Sequence, residues 1–227
     1  MAIDNAGEAE LDVPWNKMVL KPIIEELNQN RVVLASRSPS RKELLQLMGF
    51  KNLDIIPSSY DENLDSKLYS NFDDYVQELA LQKILDVERT IKAKNEKAPV
   101  MILGSDTIVT LNGKVYGKPQ DKKDAFLKLK SLSGKTNVVY TGVAVKLNGK
   151  IHKFSDSTRV QFDNLSDERI WEYIETGEPM DKAGGYAIQG FGSTLVEKID
   201  GNIHTVAGFP LFKFTKWLLQ QFHSEPL

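Results

Sequence analysis

The stretch Arg31-Val-Val-Leu-Ala-Ser-Arg-Ser-Pro-Ser-Arg-Lys-Glu-Leu-Leu45 decides how the chain is read. Val32, Val33 and Leu34 form a short apolar, β-branched run that predicts a buried strand. Ser38 followed by Pro39 is an N-cap with proline at the first helical position, so a helix is expected to start here and stop around Gly49. A strand that turns directly into a helix is a building unit of α/β domains. The turn carries the hydroxyls of Ser36, Ser38 and Ser40 and the guanidiniums of Arg37 and Arg41, and the unpaired N–H groups of a helix start favour anions. Two readings are open on this stretch alone: a phosphate cradle, or an ordinary capped turn with solvated arginines.

Working outward, Leu53 to Ile56 predicts a second strand, leading to the polar turn Ser58-Ser-Tyr-Asp-Glu62 with its two carboxylates. Phe72, Val76, Leu79, Ala80, Ile84 and Val87 recur at three- and four-residue steps, which predicts an amphipathic helix from about Asn71 to Lys94 with Lys83 beside its apolar stripe. Val100 to Leu103 reads as a buried strand, interrupted by Gly104-Ser-Asp-Thr107 before Ile108, Val109 and Leu111 resume the pattern. Asn112-Gly113 and Asn148-Gly149 mark hairpins, the second joining Val138–Val145 to Ile151–Phe162. Helices are expected over Asp121–Leu132 and Ser166–Thr176, a loop over Glu178–Gly190, a last hairpin around Asp200-Gly201, and a final helix opened by Pro210. Helices and hairpins mingle, which predicts an α/β fold with a mixed twisted sheet flanked by helices. Before it, residues 1 to about 16 read as a flexible acidic tail and Met18 to Leu27 as a short helix. The expected organisation is an extension over 1–30 and one domain over 31–227.

The chain's 227 residues, 41% of them hydrophobic, suffice for a full core. Lys+Arg 29 against Asp+Glu 31 leave a net charge of −2, so no global positive field recruits nucleic acid or an anionic membrane. The absence of cysteine excludes disulfides, thiolate catalysis and cysteine-ligated metals. His152, His204 and His223 share no metal-ligand spacing. Asp4, Glu8, Glu10 and Asp12 precede the first lysine, the wrong sign for a presequence, and no apolar run is long enough to span a bilayer, so a cytoplasmic protein is expected. Neither a P-loop nor a dinucleotide-binding glycine motif occurs, and there is no Gly-x-Ser-x-Gly elbow.

What remains is a set of polar segments at predicted strand ends. Asp106 follows a buried strand, where open α/β sheets place ligands, although taken alone it reads first as a turn-forming aspartate. Together with Glu62 it suggests Mg²⁺, which takes one or two protein carboxylates and otherwise phosphates and water. Lys83 reads either as a snorkelling helix residue or as a cleft cation, and Lys118, between Gly117 and Pro119, as a solvated or an aimed side chain. In Ala183-Gly-Gly-Tyr-Ala-Ile-Gln189 the glycines permit close approach of a ligand and the Gln189 amide can pair with a base edge.

As an ordered set, Ala35-Ser-Arg-Ser-Pro-Ser-Arg41, Glu43-Leu-Leu45, Gly104-Ser-Asp-Thr107, Gly117-Lys-Pro119, Leu132-Ser-Gly134, Thr141-Gly142 and Asp181-Lys-Ala-Gly-Gly-Tyr-Ala-Ile-Gln-Gly190 resemble the Maf family, from about Arg31 to Leu211. The resemblance implies a fold like that of inosine triphosphate pyrophosphatase, with a central cleft. It also implies hydrolysis of a nucleoside triphosphate to monophosphate and pyrophosphate, with Mg²⁺ or Mn²⁺, in a homodimer. It makes Asp106 the carboxylate that orients water, Glu62 a metal-linked acid, and Lys83 and Lys118 the cations of the cleft. Ser36, Ser38, Ser40 and Arg41 belong to the phosphate-binding loop, with Glu62 and Asp106 as metal ligands. Thr107 and Gln189 match positions associated with dTTP and UTP. One position departs: the first of two adjacent arginines usual in the loop is Ser40 here, so a charge-assisted contact of about 1.5–3 kcal/mol is missing unless Arg37 or Lys42 replaces it. Met18-Val-Leu-Lys-Pro-Ile-Ile24 is similar to the start of the Maf-like half of acetylserotonin O-methyltransferase-like proteins, and with the last residue at Leu227 no methyltransferase half is expected. The rival reading is a nucleotide-binding regulator of cell division with little turnover.

Overall fold

A computed structural model describes residues 19–61 and 64–224, the last two as backbone only. The acidic tail, Glu62 and the side chain of His223 lie outside the described residues.

Among the described residues seven strands form one mixed sheet: β1 (Val32–Leu34), β2 (Leu53–Ile55), β3 (Met101–Leu111), β4 (Lys114–Tyr116), β5 (Thr136–Leu147), β6 (Lys150–Phe162) and β7 (Val196–Asp200). Their order is β2-β1-β3-β5-β6-β7, with β4 paired to β3 beside this path. β1 lies parallel to both neighbours, and the other pairings are antiparallel. The helices are α1 (Leu20–Asn28), α2 (Pro39–Leu47), α3 (Phe72–Ala93), α4 (Lys122–Leu132), α5 (Asp167–Glu175), α6 (Ile203–Val206) and α7 (Leu211–Ser224). This is the mixed sheet flanked by helices that the alternation of patterns predicts.

The strand period of two divides the core. Odd-numbered residues of β3 face two apolar clusters at its opposite ends. Met101 and Leu103 pack with α1, α2 and α7 through Ile24, Leu45 and Phe214, while Val109 and Leu111 pack with α4 and α5 through Leu129 and Ile170. Even-numbered residues face α3: Ile102 meets Ala80, Ile84 and Val87, and Ile108 meets Val76 and Leu79. Ile23, Ile24 and Leu27 of α1 are buried, so the packed body takes in residues before Arg31. α3 lies against the sheet at backbone distance, because a Cβ on Gly142 would stand 2.2 Å from the Val76 carbonyl oxygen and one on Gly104 2.7 Å from that of Ala80.

Three local expectations are corrected. Gly104-Ser-Asp-Thr107 does not interrupt a strand: β3 continues through it, paired with β5 from Met101↔Leu147 to Thr110↔Val138, because each polar side chain there has a partner inside the protein. Asp200-Gly201 makes no hairpin. β7 is followed by the short helix α6, capped by the Asn202 side chain on the His204 N–H. Ser38 occupies the N-cap of α2 with Pro39 in the first turn, but its side chain makes no capping bond.

The pairing register leaves a gap. β1 covers the outer edge of β3 only at Met101–Leu103, and β4 resumes at Val109. Residues 104–108 pair with β5 on one side, and among the described residues no strand pairs with them on the other.

Candidate functional site

A cleft of about 630 Å³ opens at this gap, between the two apolar clusters. It collects Ser38, Ser40 and Arg41 from the β1–α2 turn, Lys83 from α3, Asp106 and Thr107 from β3, Lys118 from the segment after β4, and Gln189 from the loop after α5. Ser36 lies beneath, buried, and touches the site through Arg41.

Lys83 and Asp106 form an ion pair, Nζ to Oδ1, with only 11% and 8% of their side chains exposed. Either charge alone at such depth would cost several kcal/mol, so each requires the other. The close approach of α3 at Gly104 and Gly142 brings them together, Gly142 being the cross-strand neighbour of Asp106.

On the opposite face of β3, Arg41 acts as a hub. Its Nε donates to the Gly208 carbonyl at 3.0 Å, one terminal nitrogen to Ser36 Oγ at 3.2 Å, and the other to Thr107 Oγ1 at 3.1 Å. Ser36 Oγ also accepts the backbone N–H of Ser38 at 3.2 Å, which shapes the turn. Ser105 donates to the Gly208 carbonyl at 2.9 Å, so the turn after α6 is bound to both β3 and α2.

The far wall is the segment that carries few periodic residues. Short 3₁₀ turns over Glu178–Asp181, Ala183–Gly185 and Gly190–Leu195 give it regular backbone. The Glu178 carboxylate accepts the N–H groups of Phe191 at 3.2 Å and Gly192 at 2.7 Å, and the Tyr173 hydroxyl accepts that of Ala187 at 3.0 Å. Burial pushes the hydroxyls of Tyr173 and Tyr186 well above the usual tyrosine range, which keeps both neutral as structural posts. Lys118 and Gln189 are exposed at the rim. Lys182, with Asp181 2.5 Å from its Nζ, also lines the cleft.

Of the residues singled out by sequence, Ser38, Ser40, Arg41, Lys83, Asp106, Thr107, Lys118 and Gln189 therefore converge on one cleft, with Ser36 behind it. Arg37 and Lys42 are exposed and stand outside its lining. Glu178, Tyr173 and Gly208 escaped sequence reasoning, and Thr141 entered it only as part of the family resemblance. A lone glutamate after Gly177 and a tyrosine inside an amphipathic helix carry no local signal of a partner far along the chain. Among the described residues no group of three or more His, Asp or Glu is arranged to hold a metal, and no helix is long and apolar enough to cross a membrane.

A mixed α/β sheet with a gap in one strand edge, where a buried lysine–carboxylate pair, a helix start and charged side chains of both signs meet, defines a protein with a cleft for a small polar ligand. Comparison with known proteins narrows the class. Residues 31–221 match the Maf-like protein family, and the chain belongs to it. It is 42% identical over 214 residues to a human protein named probable bifunctional dTTP/UTP pyrophosphatase/methyltransferase protein, covering 91% of this chain and 34% of that one. It is 45% identical to proteins named dTTP/UTP pyrophosphatase from Thermosipho africanus, with 81% and 89% of the two chains covered, and from Bacillus pumilus, with 87% and 99%. The chain thus spans about a third of the human relative and nearly all of the bacterial ones.

Proposed function

We propose that the protein is a nucleoside triphosphate pyrophosphatase that converts dTTP or UTP and water to the monophosphate and pyrophosphate. The Lys83–Asp106 pair in the cleft carries this reading, because it supplies a carboxylate held at a fixed place beside the start of α2, Arg41, Lys118 and Lys182. The names of the relatives support the reaction and the pyrimidine substrates.

Asp106 accepts a hydrogen bond from the attacking water and directs its oxygen at the α-phosphorus. As the water oxygen bonds to that phosphorus, the bond to the bridging oxygen breaks, pyrophosphate leaves with the electron pair, and the proton lost by the water passes to Asp106 or to the departing pyrophosphate. Lys83 keeps Asp106 ionised and oriented. A triphosphate brings about four negative charges to a chain of net charge −2, so neutralisation is local. The start of α2, Arg41, Lys118 and Lys182 surround the phosphates and favour the charge that shifts onto the leaving pyrophosphate in the transition state. A divalent cation is expected from the carboxylate of Asp106 and the phosphates, since Mg²⁺ and Mn²⁺ accept carboxylate and phosphate oxygens and need few protein ligands, while Glu62 lies outside the described residues. Asp106 and Glu62 would hold it, and when bound it supplies charge neutralisation at the phosphates. Thr107 and Gln189 face the nucleoside in this reading, and Ser40 marks where the substrate range departs from that of the relatives. The same reading makes the protein a cytoplasmic homodimer.

Pyrophosphate release from UTP, dTTP, CTP, ATP and GTP, each with Mg²⁺ or Mn²⁺, tests the proposal. The expected products are UMP or TMP and pyrophosphate. Release of orthophosphate, or binding without turnover, would replace it with a γ-phosphatase or with a regulatory nucleotide-binding protein.

A further inference from the structure

Thr141 and Thr205 take no part in that chemistry, yet both are fully buried directly behind Thr107. Thr141 Oγ1 lies 2.7 Å from the Thr205 carbonyl oxygen and 3.0 Å from Thr107 Oγ1. A carbonyl only accepts, so the Thr141 hydrogen goes to Thr205. The bond between the two hydroxyls is then left with one donor, Thr107. Arg41 donates to Thr107 Oγ1 at 3.1 Å and occupies one of its two lone pairs. Thr107 lines the cleft with its hydrogen committed inward and one lone pair left. It can accept a hydrogen bond from a ligand and cannot give one.

This polarity has a consequence for what the cleft reads. A phosphate oxygen, an acceptor at neutral pH, gains nothing from such a hydroxyl. The group that Thr107 can serve is a donor, and on a nucleotide the donors are base N–H groups and ribose hydroxyls. Given the function proposed above, on which this step rests, the two substrates differ at the 2′ position and at C5 of the base but share the imide N3–H. Cytosine presents an acceptor at the same position. We propose that Thr141 is a positioning residue: by giving its hydrogen to the Thr205 carbonyl it fixes Thr107 as an acceptor toward the cleft, and the site thereby selects the imide of uracil or thymine over cytosine.

The test compares kcat/KM for UTP, CTP and dUTP in the unaltered protein, Thr141→Val and Thr141→Ser. Valine is close in shape to threonine but neither accepts nor donates, so the Thr107 hydrogen is freed to turn into the cleft and meet cytosine N3. The Thr205 carbonyl keeps the Gly208 N–H at 3.2 Å, so it is not left without a donor. The UTP:CTP ratio is expected to fall at least about tenfold in Thr141→Val, since hydrogen-bonding sites owe discrimination of this order or greater to one well-placed group. Thr141→Ser, which restores the hydroxyl, is expected to keep the original ratio. If Thr141→Val does not fold, Thr141→Ala is measured in its place with the same expectation. A ratio unchanged in the apolar variant, or activity reduced equally on all three nucleotides, overturns the inference and leaves Thr141 a packing residue. A shift in UTP:dUTP with UTP:CTP unmoved assigns the donor to the ribose and overturns the imide assignment. Absence of pyrophosphate release by the unaltered protein overturns the functional reading itself, and this inference with it.

Discussion

At the scale of single residues, the centre of the site is one ion pair. Asp106→Asn keeps the shape of the side chain and removes its charge. Its kcat is expected to fall by about 10²–10⁴, the usual contribution of a positioned acid or base, with the fold intact by circular dichroism. Near-full turnover with unchanged metal dependence would remove Asp106 from the mechanism. Lys83→Met leaves Asp106 charged and buried with its lysine gone, and should lower unfolding free energy by about 3–5 kcal/mol in urea. Adding Asp106→Asn to it should recover part of that loss, and strict additivity of the two would argue that they are not coupled. Ser40→Arg restores a cation in the turn and should raise kcat/KM for UTP and dTTP about 10–100-fold relative to purine nucleotides, as expected for a contact of about 1.5–3 kcal/mol. An unchanged preference would show that position 40 does not set substrate choice. The turn and its arginine are legible in sequence because capping chemistry is local. The pairing of Lys83 with Asp106 is not, because it depends on how closely a helix 23 residues earlier approaches the strand.

At the scale of elements, that approach is set by α3 against β3 and β5. A Cβ on Gly142 would stand 2.2 Å from the Val76 carbonyl oxygen, a backbone atom with no side-chain freedom to yield. Gly142→Ala should therefore cost about 3 kcal/mol or more, the upper end for overpacking, and should also lower activity by shifting Lys83 from Asp106. Glu88, one turn further along α3, sits between Lys146 of β5 at 2.6 Å and Lys92 at 2.5 Å. The hydrogen bonds to Lys146 and then Lys92 hold its carboxyl below the ordinary value of 4.5. Its charged form is favoured by folding, so its contribution is complete above about pH 4.5 and lost as pH falls through the lowered folded value. Glu88→Gln should be about 1 kcal/mol less stable at pH 7, and the difference should vanish as pH falls through the lowered folded value. A difference that persists in acid would mean that Glu88 acts by packing. The strong periodicities of α3 and the Asn-Gly hairpins are readable because they obey local rules. β3 reads as broken because its polar residues are satisfied by partners on α2, α3, β5 and the turn after α6, which no window of sequence displays. Asp200-Gly201 likewise has a hairpin's composition but no strand to return to.

At the scale of the whole molecule, the mixed sheet is foreseeable from the alternation of elements, whereas the cleft is not. It exists because β1 and β4 share one edge of β3 and leave residues 104–108 between them, a property of register rather than of composition. The arrangement also divides the apolar core. One cluster, with α1, α2 and α7, supplies the turn that carries Arg41, and the other, with α4 and α5, supports the wall that carries Gln189. A ligand in the cleft touches both, and it is bound only when both are folded. Binding then stabilises the folded chain by mass action, by about 2.7 kcal/mol at a ligand concentration a hundred times Kd. For a domain of this size that corresponds to a rise in Tm of about 5–10 °C. A UTP analogue with an imido bridge between the α- and β-phosphates, which resists cleavage, should produce such a rise in a thermal melt with Mg²⁺ present. Pyrophosphate alone, which reaches only the start of α2 and the lysines, should produce a smaller one. If the two give equal shifts, the wall with Gln189 contributes nothing to binding. If neither gives one at millimolar concentration, the cleft is not the nucleotide site.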